Sequence, residues 1–206
     1  MKIYLATDHA GFELKETIKL FLEIEKDELK NEMEKSLGLL ISEIEIVDFG
    51  AYKFEAGDNY VQYIGVAAGE ISREIYMGEK NNFAIIFGGS GEGEAMVADK
   101  YLGVRAGVIN SENIEIVKLL REHNNANILS IGARFISKDF AKIAVRKFLN
   151  TKFIGKESGV ETRHQKRVAE ITELEEAINT QNIELRQEEL NGLKELQKIQ
   201  KQALRH

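Results

Sequence analysis

No cysteine and no proline occur among the 206 residues. Without thiols the chain has no disulfide, no thiolate metal site and no cysteine nucleophile, so its chemistry must come from carboxylates, histidines, hydroxyls or the backbone. The missing proline is read as compositional bias and carries no mechanistic weight. Long apolar runs are missing too. None approaches the roughly 20 residues of a membrane span, and no basic-plus-apolar leader opens the sequence. A soluble, cytoplasmic protein that engages no membrane is therefore expected. Excess positive charge is also lacking. The formal net charge of −6 argues against general nucleic-acid binding, which needs many Lys and Arg contacts to phosphates. A local basic cluster can still hold one small anion.

What is present is a globular composition, 43% hydrophobic and 30% charged, read as one domain with additions. The chain is organised around Gly88-Gly89-Ser90-Gly91-Glu92-Gly93-Glu94, which follows the apolar run Phe83-Ala84-Ile85-Ile86-Phe87 and leads into an amphipathic stretch. That order reads as buried strand, tight loop and helix start. Such a loop aims backbone N–H groups from a helix N-terminus, where a phosphate or an oxyanion is favoured. Glu94 adds a carboxylate able to move protons. The glycines do not fit a dinucleotide loop, because they recur every second residue at 89, 91 and 93 and follow a middle strand.

In chain order, strand-like Lys2-Ile3-Tyr4-Leu5-Ala6-Thr7 runs into Asp8-His9-Ala10-Gly11 and then a helix. Asp8 and His9 thus fall at the carboxyl end of a strand, where open parallel sheets present ligand groups; Asp8 is equally readable as a helix cap. Residues 23–43, dense in Glu and Lys, read as a solvated helical insertion without a site. A strand ends at Asp48-Phe49-Gly50, and Asp58-Asn59-Tyr60 opens a helix on which Tyr60 either packs or closes over a ligand. Further strands are expected near residues 107 and 130. The polar stretch Arg121-Glu122-His123-Asn124-Asn125-Ala126-Asn127 separates a helix from the strand at 130, and Arg134 follows that strand. Strands near 3, 46, 85, 107 and 130 with helices between them predict an α/β doubly wound fold: a mostly parallel five-stranded sheet covered by helices on both faces. This domain is expected over residues 1–155. From 156 to 206 a basic segment, Arg163-His164-Gln165-Lys166-Arg167, and a helical extension follow, with Gly155 and Gly159 marking a linker. Val168, Ile171, Leu174 and Ile178, then Leu185, Leu190, Leu193, Leu196 and Ile199, form apolar stripes with a break expected at residues 179–182. Such stripes mean docking or oligomer contacts.

Taken together, Asp8-His9-Ala10-Gly11, the glycine loop, Gly103-Val104-Arg105, residues 121–127, Gly132-Ala133-Arg134 and residues 163–167 resemble the ribose-5-phosphate isomerase B family over roughly residues 1–171. Each motif alone is weak, and the ordered set is specific. The resemblance implies a metal-free, cofactor-free aldose–ketose isomerase of phosphosugars that forms a homodimer with shared active sites, a tetramer being the larger alternative. Many members of that family carry a cysteine base at the head of the loop, where this chain has Gly88. A branch of it uses a glutamate after the last loop glycine, and residues 88–94 match that pattern, which gives Glu94 the role of base. The resemblance further assigns ring opening to His123, assistance at the sugar hydroxyls to Asp8, phosphate binding to Arg134, Arg163 and Arg167, and sugar or phosphate contacts to Asn124 and His9. It does not account for residues 23–43 or the tail after about Ile171.

The residue types suit the reaction. Isomerisation needs a base at C2, donors for the enediolate and return of the proton to C1. Burial that raises the Glu94 pKa from about 4.3 would tune it as that base. Ser90 and the loop residues Gly89, Gly91, Glu92 and Gly93 would bind substrate and hold the oxyanion. Guanidinium groups pair bidentately with phosphate and keep their charge. Three readings remain open: ribose 5-phosphate as substrate, a six-carbon phosphate such as galactose 6-phosphate or allose 6-phosphate, or a non-catalytic phosphosugar-binding subunit.

Overall fold

The computed structural model describes residues 1–157 and 160–203. In chain order these form β1 (Lys2–Thr7), α1 (Phe12–Leu37), β2 (Glu45–Asp48), α2 (Tyr60–Tyr76), β3 (Phe83–Gly88), α3 (Glu92–Ala98) and β4 (Ala106–Ile109). Then come α4 (Ile114–Glu122), β5 (Ile128–Gly132), α5 (Lys138–Asn150), β6 (Lys156–Glu157), β7 (Val160–Glu161) and α6 (Arg163–Ala203). Gly159, half of the expected linker signal, lies outside the described residues.

The runs of β1, β3 and β5 are almost wholly apolar, as strands covered on both faces must be. They take central places in a five-stranded sheet of order β2-β1-β3-β5-β4 in which every neighbouring pair is parallel. The two-residue strands β6 and β7 pair with each other, antiparallel. Alternation along the five-stranded sheet sends Ile3, Leu5, Ile85, Phe87, Leu129 and Ile131 to one core, with Ile18 and Leu22 of α1, Val117 of α4 and Phe148 of α5. It sends Tyr4, Ala6, Ala84, Ile86 and Ile128 to the other, with Ile64 and Ile71 of α2 and Ala98 of α3. The doubly wound architecture expected from the sequence is present.

Two expectations give way. The charged stretch from residue 23 is helical in its first part, as expected, but not wholly solvated: it continues α1, a 26-residue helix that stops at Gly38, a left-handed residue at φ 69°. One face of that extension buries Leu29, Met33 and Leu37, with Ile41 beyond, in the core shared with α5. Truncating such a buried leucine or methionine to alanine costs about 2–5 kcal/mol. Its acidic face is also engaged, since Glu25, Glu28 and Glu32 all pair with Arg146 of α5. The expected break at residues 179–182 is absent as well, because α6 runs through them unbroken. Asn and Gln cost a helix only some tenths of a kcal/mol each, too little to end one without a proline or glycine there.

The chain divides into two units, Met1–Lys166 and Arg167–His206. Within the first, the strand order sets the place for a ligand. From β1 the chain moves outward to β2 at one edge, then crosses back over β1 to β3 and continues to the other side. The crevice beyond the carboxyl ends of β1 and β3 is therefore the topological switch point, where open parallel sheets bind their ligands.

Candidate active site

Asp8 and His9 leave β1 at that crevice, and residues 88–94 leave β3 beside them. Asp8 is buried, and its Oδ1 accepts the Ala10 N–H at 2.9 Å, so it closes a tight turn; Gly11, and not Asp8, caps α1. The same oxygen-rich corner fixes His9. Asp58, from the loop before α2, accepts both the His9 backbone N–H (2.9 Å) and a hydrogen bond at Nδ1 (2.7 Å), which leaves Nε2 for other work. Ligand atoms of Asp8, His9 and Asp58 lie within 4.8 Å of one another, a spacing that could hold a cation; the His9–Asp58 hydrogen bond already accounts for the grouping.

The glycine loop turns sharply at Gly91, whose φ of 82° is the left-handed region that glycine enters without strain, and Gly91 caps α3. Glu94 sits in the first turn of α3 with its side chain buried at 4% exposure. Its carboxyl group lies over Gly88: a Cβ on Gly88 would coincide with it. Burial pushes the Glu94 pKa above the ordinary carboxylate range, and the nearby Asp8 charge adds to the rise against the pull of its own backbone N–H. Gly93 is equally constrained. A Cβ there would stand 2.8 Å from the Tyr60 hydroxyl.

Asp8, His9, Tyr60, Gly89, Ser90, Gly93, Glu94 and Arg134 line one cavity of about 380 Å³. Arg134 enters from the loop after β5, tied by its N–H to the Gly89 carbonyl at 3.2 Å, with its guanidinium against Gly89. A buried acid of raised pKa, a second carboxylate, a histidine and a guanidinium thus face a single space at a helix start. That set can remove a proton from carbon while holding an anionic group. A larger groove of about 800 Å³ between α1 and α5 joins no such base to an anion-binding group.

Other residues expected at the site lie elsewhere. Gly91 and Glu92 are beside the cavity but do not line it, and Glu92 is exposed and accepts a hydrogen bond from Asn110 at 3.0 Å. His123 and Asn124 follow α4 and precede β5, which puts them at the amino edge of the sheet, opposite the crevice. Their turn is held by Arg121, a guanidinium buried between the rings of Phe83 and Phe148. It donates to the Ala126 carbonyl, to Asn125 Oδ1 (3.1 Å) and to the Thr151 carbonyl (3.3 Å), and burial lowers its pKa to about 10. Asn125 takes the left-handed conformation at φ 48°, as expected for a helix ended by asparagine. His123 stacks on His164, ring centroids 4.0 Å apart and planes within 11°, and Arg163 Nε lies 3.4 Å from the His164 ring. Arg167 is the exposed first residue of the second unit. The first unit therefore carries the expected site residues in two groups: Glu94, Asp8, His9 and Arg134 at one edge of the sheet, and His123, Asn124 and Arg163 away from it.

The profile of the Ribose/Galactose Isomerase family matches residues 3–171. The chain belongs to this family. Among its relatives are ribose-5-phosphate isomerase B of Mycolicibacterium paratuberculosis, 33% identical over 85% of this chain and 92% of that one, and the Escherichia coli ribose-5-phosphate isomerase B, 31% identical over 86% and 99%. The crystal structure of ribose-5-phosphate isomerase B from Mycoplasma genitalium with bound ribulose-5-phosphate superposes with a TM-score of 0.68 at 28% identity, covering 85% of this chain and 96% of that one. No helix among the described residues is long and apolar enough to cross a membrane. Tyr60, open in the sequence between packing and closing over a ligand, lines the cavity beside Gly93. Asp58 holding His9 and His164 against His123 are not singled out by the sequence, because their partners are distant along the chain or carry no signal of contact.

Proposed function

We propose that the chain interconverts ribose 5-phosphate and ribulose 5-phosphate through an enediolate, with Glu94 as the base. The observation that carries this is the Glu94 carboxyl buried over Gly88, in the cavity that Asp8, His9 and Arg134 also line. Space that a side chain at position 88 would fill holds a carboxylate whose raised pKa suits proton abstraction from carbon. The names and bound ligand of the relatives support the substrate.

In the open-chain aldose, Glu94 takes the C2 proton as the C1 carbonyl becomes an enediolate oxygen. The Ser90 hydroxyl and the loop N–H groups of residues 89–93, which include orphan donors of the α3 start, hold that oxygen. Asp8 moves a proton between the sugar oxygens, and Glu94 returns its proton to C1 to leave a ketone at C2. Arg134 binds an anionic end of the substrate. His123 opens the ring form, and Asn124, Arg163 and Arg167 bind sugar and phosphate, from a second chain. A homodimer with sites built across the two copies reconciles the separated half-sites with one reaction. The α/β part, residues 1–155, supplies the base, and the basic segment after 156 supplies phosphate contacts. No cofactor enters these steps.

Isomerisation of ribose 5-phosphate followed in wild type and Glu94→Gln tests the reading. Turnover in the wild type with a loss of 1,000-fold or more in the variant, on the order expected for a missing base, supports it. Binding without turnover in the wild type makes the chain a phosphosugar-binding subunit instead. Relative kcat/KM for five- and six-carbon phosphates separates ribose from galactose or allose phosphates, because one hydroxymethyl group is a modest discriminator.

A further inference from the structure

The family match ends at residue 171, and the E. coli relative is covered over 99% of its length by 86% of this chain. About 14% of this chain has no counterpart in that relative, and the family match leaves out the C-terminal residues. In the structure the helix that begins at Arg163 continues through them to Ala203. Its apolar residues are left open: Ile171, Leu174, Ile178, Ile183, Leu185, Leu190 and Leu193 are each 47–60% exposed. At the 100° per residue of an α-helix, Ile171, Leu174, Ile178, Leu185 and Leu193 fall within about 100° of arc, and Ile183 and Leu190 lie about 60–80° beyond its edge. Leu196 and Ile199, described only in their backbone, continue the same spacing in the sequence.

Charge on this helix is divided along its length. Residues 170–189 contain seven Glu and one Arg, whereas residues 190–206 contain four Lys or Arg and one Glu. A parallel second copy would lay acid on acid over the first half. An antiparallel copy lays the acidic half on the basic half. Reversal about Leu185 sets the positions of Glu176 against Lys194 and Glu184 against Arg186. The same reversal sets Ile171 against Ile199, Leu174 against Leu196, and Leu185 against itself. These charge and apolar pairs share one centre, at which Glu175 against Glu195 is the one like-charged pair.

We infer that the tail helix is a self-complementary docking element whose partner is the same helix of a second copy of this chain, antiparallel and centred on Leu185. The inference does not depend on the reaction assigned above, and all of the surface but its first turn lies outside the region that the family model matches. It joins chains, or already paired chains, at a second contact. Two-fold symmetry about Leu185 closes that contact after one partner, so it doubles the assembly without growing a filament.

The absence of native cysteine makes the test direct. In the full chain, Glu176→Cys combined with Lys194→Cys is expected to form disulfide-linked pairs under mild oxidation, while Glu176→Cys alone is expected to stay unlinked. Light scattering on the full chain carrying Glu170→Lys, Glu173→Lys and Glu176→Lys should show about half the wild-type mass, with kcat/KM unchanged. Mixing it with the reciprocal variant Lys194→Glu, Lys198→Glu and Lys201→Glu should restore the mass. Efficient linking by Glu176→Cys alone would mean parallel pairing and overturn the inference. So would a charge-reversed chain of wild-type mass together with no cross-link in the double-cysteine variant.

Discussion

Replacing Gly88 by alanine adds one methyl group where the Glu94 carboxyl lies. Gly88 is not among the glycines of positive φ, so the backbone accepts alanine and the effect is the collision alone. Either the carboxyl moves or the strand end does. Overpacking of this kind costs about 1–3 kcal/mol, and in a domain of this size each kcal/mol lowers Tm by roughly 2–4 °C. A displacement of about 1 Å in a reacting group costs on the order of 100-fold in rate. The expected result for Gly88→Ala is therefore a Tm lower by a few degrees and kcat/KM for ribose 5-phosphate lower by about two orders of magnitude. The double variant Gly88→Ala, Glu94→Ala supplies the control. With no carboxyl to strike, the added methyl fills vacated space, so the two stability effects fall short of additivity by about 0.5–3 kcal/mol. Gly88→Ala with wild-type kcat/KM and Tm would refute the placement of the base.

Three further outcomes follow from the same geometry. Glu94→Gln should melt above wild type at neutral pH. A carboxyl whose folded pKa is raised stabilises the fold below its unfolded pKa and loses that contribution as pH climbs through the folded value, so the gain should vanish below about pH 4; by the same sign, wild-type kcat/KM should fall on acidification with a midpoint above the ordinary glutamate range, and a midpoint at or below it counts against Glu94. In the Glu94→Ala background, Gly88→Cys should recover part of the activity, and iodoacetamide should abolish it cleanly because the chain has no other thiol; activity indifferent to alkylation would deny the shared position. Mixing inactive Glu94→Gln with inactive His123→Ala chains should recover about a quarter of wild-type activity once subunits exchange, since half of random pairs are mixed and each has one complete site. No recovery after verified exchange would place His123 and Glu94 in the same chain's site.

Much of this was legible in the sequence because it is local. Runs such as residues 83–87 have few outcomes other than a strand buried on both faces, and a glycine loop after one has few other than a tight turn into a helix. Glu94 was readable from that loop, but its stacking over Gly88 and its raised pKa are tertiary facts. The misread parts have physical causes. Around residues 23–43, Glu and Lys on three sides hid the single buried face of Leu29, Met33 and Leu37. At residues 179–182, weak helix formers looked like a stop, although only proline or glycine weighs enough to force one. The order β5 before β4 sets which loops meet at the crevice and leaves no trace in either strand's composition.

Arg121 bears on how far the His123–Asn124 turn can change. Its charge meets carbonyl oxygens, an amide oxygen and two ring faces, with no carboxylate partner among the described residues. Lysine could not span those acceptors from a single ammonium, and a neutral residue would strand the Ala126 and Thr151 carbonyls in the interior. The turn presenting His123 and Asn124 is thereby moored to the hydrophobic interior itself, so drift in that loop is coupled to drift in the packing of Phe83 and Phe148. Under the proposed reaction, engineering a new sugar preference at this end of the molecule would have to begin from the core outward.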